Sequence, residues 1–231
     1  MEREIVLDTE TTGLDPVDGH RLVEIGCLEL VNHLATGSVF QTYLNPMRDV
    51  PPDATRVHGL TAEFLKEHPL FTEKVDAFLE FIGDAVLVIH NAEFDMKFIN
   101  AELKAAGFRS LSMDRVIDTL PLARQKFPGQ PANLDALCRR FKIDNSERKL
   151  HGALLDAELL SEVYLELIGG RQHGLGLGSE IAAQQSQQLN ARIKRQKRPV
   201  RAFPPSAEEL KAHEALLDGI KDALWREKKG S

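Results

Sequence analysis

Asp8 and Glu10 stand one residue apart at the end of an apolar run, Ile5-Val6-Leu7. Alternate residues of a strand face the same way, so the two carboxylates would share a face, roughly 6.6–6.8 Å apart along the chain. Paired carboxylates over one spot suit hard cations and acid–base work, although acidic residues that close a strand are also common as solvated loop residues. Thr11-Thr12-Gly13-Leu14 follows, a turn that offers hydroxyls and backbone N–H groups to the end of a substrate. Asp95 closes a second segment, His90-Asn91-Ala92-Glu93-Phe94-Asp95, just beyond the apolar run Ala85–Ile89. Ligands gather at such strand ends in open α/β sheets, while an Asp there also favours the N-terminus of the following helix. His151 and Asp156 are five apart. Inside one helix they would lie about 140° apart around the axis, so the spacing works if His151 is on the loop entering the helix and Asp156 points inward from an early turn. Gly152 between them loosens that approach. A His on a mobile loop beside an anchored carboxylate suits a general base next to a metal ligand.

These residues need elements to hold them. Ile5–Leu7 reads as a short buried strand ended by Asp8, followed by turn formers from Thr9 to Gly19. Leu22–Val31, an apolar stretch that includes Glu24 and Glu29, and Ser38–Leu44, stopped by Asn45-Pro46, complete an antiparallel meander. A Pro-rich loop at Pro51-Pro52 precedes a short helix capped by Thr61, and Val75, Phe78, Leu79 and Ile82 recur at helical spacing. Ala85–Ile89 is a buried strand feeding a helix through Phe94, Phe98, Leu103 and Ala106, an arrangement that normally joins a sheet in parallel. Val116-Ile117 supplies a fifth strand. Helices follow at Leu120–Phe127, Leu134–Phe141 and about Gly152–Ile168, the last with Leu155, Leu159, Val163 and Leu167 along one stripe. The fold class is α/β, a mixed five-stranded sheet flanked by helices.

Beyond Gly169-Gly170 the composition changes. Residues 171–203 are Gly- and Gln-rich and then basic, from Arg192 to Arg201, and read as a flexible linker. Residues 204–231 hold a helix opened by a capping-box spacing at Ser206–Glu209 and running to about Trp225, with Leu210, Leu217, Ile220 and Leu224 on one side. An amphipathic helix on a tether has nothing of its own to bury against, which points to docking on a protein. Charge divides in the same place: Lys and Arg number 29 and Asp and Glu 35, leaving the first 170 residues at −11 and the tail at +5. An acidic body excludes a protein that grips nucleic acid by a broad basic surface, but not a nuclease whose positive charge is supplied by metals. The basic run Arg192–Arg201 is open to two readings, a contact with DNA phosphates or a solvated linker. Cys27 and Cys138 lie among apolar residues at no metal spacing and read as buried thiols of a reducing compartment. With no signal-peptide layout and no apolar run of membrane-spanning length, a cytoplasmic location without a membrane partner is expected.

Asp8-Thr9-Glu10-Thr11-Thr12-Gly13, His90–Asp95 and His151-Gly152-Ala153-Leu154-Leu155-Asp156 resemble, in order and spacing, the three exonuclease motifs of the DnaQ-like DEDDh family, which has a ribonuclease H-like fold. The resemblance covers residues 1–170 as the exonuclease domain. Asn133–Cys138 and Leu150–Ala157 look closest to its epsilon, proofreading, branch in bacterial DNA polymerase III. It implies that Asp8, Glu10, Asp95 and Asp156 hold two divalent metals, Mg²⁺ or Mn²⁺, that His151 is the general base, and that the substrate is the 3′ end of a DNA primer. Two hard cations roughly 3.5–4 Å apart would activate water, clamp the phosphate and relieve charge on the leaving oxygen, with His151 taking the proton and a nucleoside 5′-monophosphate released. Val57-His58-Gly59-Leu60 resembles the family segment that touches the terminal nucleotide. Thr11, Leu14, Asp53 and His58, with Asp8, Glu10 and Asp156, are therefore the expected substrate contacts, whereas His90 reads as structural. Gln172, Leu175 and Leu177 resemble a short sliding-clamp motif, with a final Leu where Phe is usual. Leu210, Leu217, Ile220, Leu224 and Trp225 resemble the tail that tethers the nuclease to the polymerase alpha subunit in the bacterial replisome. A free-standing enzyme of the same family that trims RNA 3′ ends is the alternative, which the linker and docking helix disfavour. A replisome adaptor without activity is disfavoured by the five intact site residues.

Overall fold

The computed structural model describes residues 2–146, 148, 150–169 and 205–220. The chain separates into two compact units, Met1–Gly176 and Leu177–Ser231. In the first unit, β1 (Arg3–Thr11), β2 (Leu22–Val31) and β3 (Leu34–Tyr43) form the expected meander, and β4 (Val86–Ile89) and β5 (Val116–Asp118) extend it in parallel, giving the order β3-β2-β1-β4-β5. Three boundaries differ from the sequence expectation. β1 does not stop at Asp8 but runs to Thr11, because β2 pairs along its whole length and sets Asp8 opposite Gly26 and Glu10 opposite Glu24. β3 begins at Leu34 rather than Ser38; it is a largely exposed edge strand, so no burial pattern marks its start. The Pro-rich stretch read as a loop is a helix, α1 (Pro52–His58). Proline opens it, where the missing N–H would have had no helical partner, and Gly59 closes it at φ 78°, a left-handed conformation that favours glycine.

The remaining helices follow as expected. They are α2 (Ala62–Leu65), capped by the Thr61 hydroxyl, α3 (Phe71–Ile82), α4 (Ala92–Ala105), α5 (Thr119–Lys126), α6 (Leu134–Phe141) and α7 (Ala153–Leu167). Successive residues of β1 point to opposite faces and both faces are covered. Ile5 and Leu7 pack with Phe78, Phe98 and Ile99 of α3 and α4, while Val6 packs with Leu137, Leu160 and Val163 of α6 and α7. A central strand buried on both sides explains the unbroken apolar run that opens the sequence. Cys27 and Cys138 are buried free thiols, held protonated by burial, which pushes Cys138 up to about 11. The second unit contains α8 (Ala207–Asp218), opened by the Ser206–Glu209 capping box, with Leu217 buried and Leu210 and Ile220 exposed. Leu224, Trp225, Gln172, Leu175 and Leu177 lie outside the described residues. Among the described residues no helix is long and apolar enough to cross a membrane.

Candidate active site

Even-numbered residues of β1 face α7, so Glu4, Val6, Asp8 and Glu10 form one row beneath that helix. What brings α7 down onto the row is Gly26, the partner of Asp8. A Cβ built there would stand 2.2 Å from the Leu154 amide nitrogen and 2.5 Å from the Ala153 oxygen. Only a glycine lets the first turn of α7 touch the sheet, and that contact sets Asp156 beside Glu10. Glu24, buried and paired with Glu10 across the strands, accepts the Ala153 N–H at 3.1 Å and so caps the same helix end.

Asp95 arrives from the other face. It lies in the first turn of α4, and Thr9 Oγ1, on the odd-numbered face of β1, donates to its Oδ1 at 2.7 Å. The start of α4 is fixed from β5, where Asp118 accepts the Asn91 and Ala92 N–H groups at 3.0 and 3.1 Å. His90 Nδ1 pairs with Thr119 Oγ1 at 2.8 Å, in keeping with a structural role. His151 is on the loop before α7, half exposed, and its N–H donates to the Val57 carbonyl of α1 at 3.0 Å. The loop placement required by the five-residue spacing is therefore present, with Asp156 buried in the first turn of the helix.

Asp8, Glu10, Thr11, Leu14, Asp53, His58, Asp95, His151 and Asp156 all line one cleft of about 1360 Å³. Within it, donor atoms of Glu10, His151 and Asp156 come within 4.8 Å of one another, while Asp8 and Asp95 border the cleft without joining that triplet. The carboxylates perturb each other strongly. Burial first, then Asp95, Glu10 and Asp156, hold Asp8 well above the usual carboxylate range. Burial followed by the charges of Asp156, Glu24 and Asp95 pushes Glu10 up to about 8. Burial also lifts Asp95 to about 7 against the hydrogen bond from Thr9. Asp156 alone moves down: burial would raise it, but the bonded Arg148 and His151 outweigh that. Such repulsion is what a divalent cation removes, and a set of oxygen donors with one imidazole at its edge can hold one.

The substrate-side residues are positioned as follows. Leu14 is 80% exposed at the cleft mouth, and Thr11 Oγ1 donates to the Gly13 carbonyl at 2.6 Å. Asp53 is exposed and paired with Arg56. His58 is buried and lowered in pKa by desolvation against a backbone contact with Thr11; its Nδ1 accepts the Leu60 N–H at 3.0 Å, which leaves the proton on Nε2, where it makes no well-formed hydrogen bond among the described residues. A buried donor of this kind is ready for an acceptor on a ligand.

A family model described as an exonuclease matches residues 5–164. The chain belongs to this exonuclease family. It is 52% identical over 221 residues to the DNA polymerase III subunit epsilon of Rickettsia felis, covering 94% of this chain and 96% of that one. To the DNA polymerase III subunit epsilon of Escherichia coli K12 it is 45% identical over 238 residues, covering 98% of both. Two solved structures share the fold: exonuclease X in complex with 5′-overhanging duplex DNA (TM-score 0.57, 24% identity, 71% of this chain and 90% of that one) and the nuclease domain of 3′hExo, a DEDDh member bound to rAMP (TM-score 0.62, 16% identity, 72% and 92%).

Four residues of the site escaped the sequence reading. Gly26 and Glu24 carried a signal, a glycine and a carboxylate inside an apolar strand. Thr9 and Arg148 carried none, since a Thr in a strand and an Arg in a polar loop are ordinary.

Proposed function

We propose that this exonuclease is the proofreading subunit of a bacterial replicative DNA polymerase III, removing mispaired 3′-terminal nucleotides from the primer and releasing nucleoside 5′-monophosphates. The observation that carries this reading is the convergence of four mutually repelling carboxylates, from both faces of β1 and two helix starts, on a cleft entered by one loop histidine. Similarity to epsilon subunits that extends through the tail favours the DNA reading over a free-standing RNA-trimming enzyme.

Asp8, Glu10, Asp95 and Asp156 hold two divalent cations, Mg²⁺ or Mn²⁺, whose chemistry is to polarise water and phosphate and to relieve charge on the leaving 3′-oxygen. The chain's own residues do the rest. His151 accepts the proton of the attacking water. His58 donates from Nε2 to the terminal nucleotide, Leu14 packs on its base, and Thr11 and Asp53 border its sugar. The His151 loop is tied through Val57 to the helix that carries His58, so contact with the terminal nucleotide and placement of the base are mechanically linked. Residues 1–170 form the nuclease, 171–203 a linker with the clamp-binding residues Gln172, Leu175 and Leu177, and 204–231 a helix that docks on the alpha subunit through Leu210, Leu217, Ile220, Leu224 and Trp225. Tethering raises the local concentration of an acidic nuclease that grips DNA weakly by itself. Digestion of matched single-stranded DNA and RNA by the full chain tests the substrate class: RNA trimming without DNA hydrolysis would overturn the reading. Polymerase pull-down should be lost on removing 204–231, and undiminished binding would refute the tether.

A further inference from the structure

Arg148 makes more side-chain bonds than any other residue lining the cleft, although the reaction described above does not use it. Its side chain is 6% exposed. Nε donates to Asp156 Oδ1 at 2.5 Å and Nη2 to Asp156 Oδ2 at 2.7 Å, a two-pronged grip on both oxygens of the carboxylate. Nη1 donates to Asp135 Oδ1 at 2.6 Å, and Nη2 also reaches His151 Nδ1 at 2.9 Å.

Two consequences follow from this placement. A guanidinium beside both oxygens of Asp156 repels any divalent cation seeking the same lone pairs, in the triplet where Glu10, His151 and Asp156 come together. The same guanidinium stands against His151 Nδ1, which also lies 3.4 Å from Asp156 Oδ2, so the ring is held between the cation and the carboxylate. This one side chain thus restrains a metal ligand and the base together. Asp135 offers the cation somewhere to go: its side chain is 43% exposed, it is steadied by Asn145 Nδ2 at 3.1 Å, and Nη1 is already bound to it.

We propose that Arg148 is a latch on the active site, a positioning residue that competes with the divalent cation for Asp156 and withdraws onto Asp135 when the cation enters, freeing His151 to act as base. The inference rests on the assignment of Asp156 as a metal ligand. Release needs rotation of one side chain about its Asp135 bond, with α7 and its Glu24 cap left in place. Because only the released fraction is competent to bind, the apparent metal affinity is weakened by that fraction.

The test is Mn²⁺ titration of the full chain by calorimetry, with the wild type, Arg148→Gln, Asp135→Asn and Asp156→Asn. The latch predicts Mn²⁺ binding about tenfold tighter in Arg148→Gln, which corresponds to about 1.4 kcal/mol of competition, and several-fold weaker in Asp135→Asn, which loses the resting place. A purely structural role in steadying Asp156 predicts the opposite sign for Arg148→Gln, so unchanged or weaker Mn²⁺ affinity in that variant overturns the proposal. Should Arg148→Gln fail to fold, Arg148→Lys keeps the charge and loses the two-pronged grip, and its affinity must still rise. Asp156→Asn separates the two levels of inference: if it binds Mn²⁺ as the wild type does, the metal-ligand assignment fails rather than the latch alone.

Discussion

Beneath α7 the strand β1 carries acidic side chains at both ends, and the two ends behave oppositely. At the start, Glu4 is fully buried yet satisfied: Tyr164 donates its hydroxyl at 2.6 Å and His33 Nδ1 lies at 2.7 Å. At the far end, Asp8 and Glu10 meet Asp95 and Asp156, and Arg148 is the cation that lowers both Asp8 and Glu10. The geometry that spaces the two ends is the same. Asp156 and Tyr164 are eight helical residues apart, a rise of about 12 Å, and Glu4 and Asp8 are four strand residues apart, about 13 Å. One helix therefore matches one carboxylate end with a hydroxyl and the other with a further carboxylate. Burial of an acidic group does not mark a site; like charges gathered without enough partners do.

The contrast is broken most severely at Asp8. Asp8→Asn should lower exonuclease turnover on the order of 10³-fold, the scale of losing one preorganised electrostatic contact to the reacting centre, and at the same time raise the melting temperature in EDTA at pH 8, because a repelling charge has gone. A fall in both would show that Asp8 is structural, as Glu4 is. Gly26→Ala comes next. The added methyl group must push the start of α7 off the sheet, which moves Asp156; a displacement near 1 Å is expected to cut turnover about 10²-fold and overpacking to cost about 1–3 kcal/mol. Turnover and melting curves like the wild type's would mean that the α7 contact does not set the site. Glu4→Ala is the mirror experiment. It strands the Tyr164 hydroxyl and should cost about 1–3 kcal/mol, read as a melting temperature lower by about 5 °C, with turnover within about twofold of wild type.

The smallest effect is on pH. Glu10 at about 8, Asp95 at about 7 and the raised Asp8 all bind protons in the folded chain at pH values where the unfolded chain has released them. Their contribution to stability is complete below the ordinary carboxylate range and is lost as pH rises through about 7 to 8. Melting temperature in EDTA should thus decline between pH 5 and 8, less steeply in Asp8→Asn, and saturating Mg²⁺ should flatten the curve. A melting temperature that rises over this interval in EDTA would show that the carboxylates are not destabilised by one another.

The five acidic and histidine positions were legible because their spacing encodes the geometry directly. Asp8 and Glu10 share a strand face, Asp95 follows a strand-to-helix junction, and His151 can meet Asp156 only from a loop, which is where it lies. The antiparallel meander and the helices that border the cleft were legible for the same reason, periodic burial. Where the periodicity fades, so did the reading. β3 begins on the exposed edge at Leu34 without alternation, and α1 hides behind two prolines that resemble a loop until one sits at the first helical position. Gly26 and Arg148 act through tertiary contacts with residues far away in sequence, or across a loop: a glycine inside an apolar strand marks Gly26 without saying what approaches it, and nothing local marks Arg148. What the spacing did not state is the burial and mutual repulsion of these carboxylates, which raise Asp8, Glu10 and Asp95 only once the fold brings them to one cleft.

The most direct test of the whole account is Mg²⁺-dependent digestion of a 5′-labelled primer with a mismatched 3′ end by the wild type and Asp8→Ala. The account predicts stepwise shortening from the 3′ end with nucleoside 5′-monophosphates as product, abolished by EDTA and by the substitution. Undiminished digestion by Asp8→Ala or in EDTA, or internal cleavage of the strand, would contradict it.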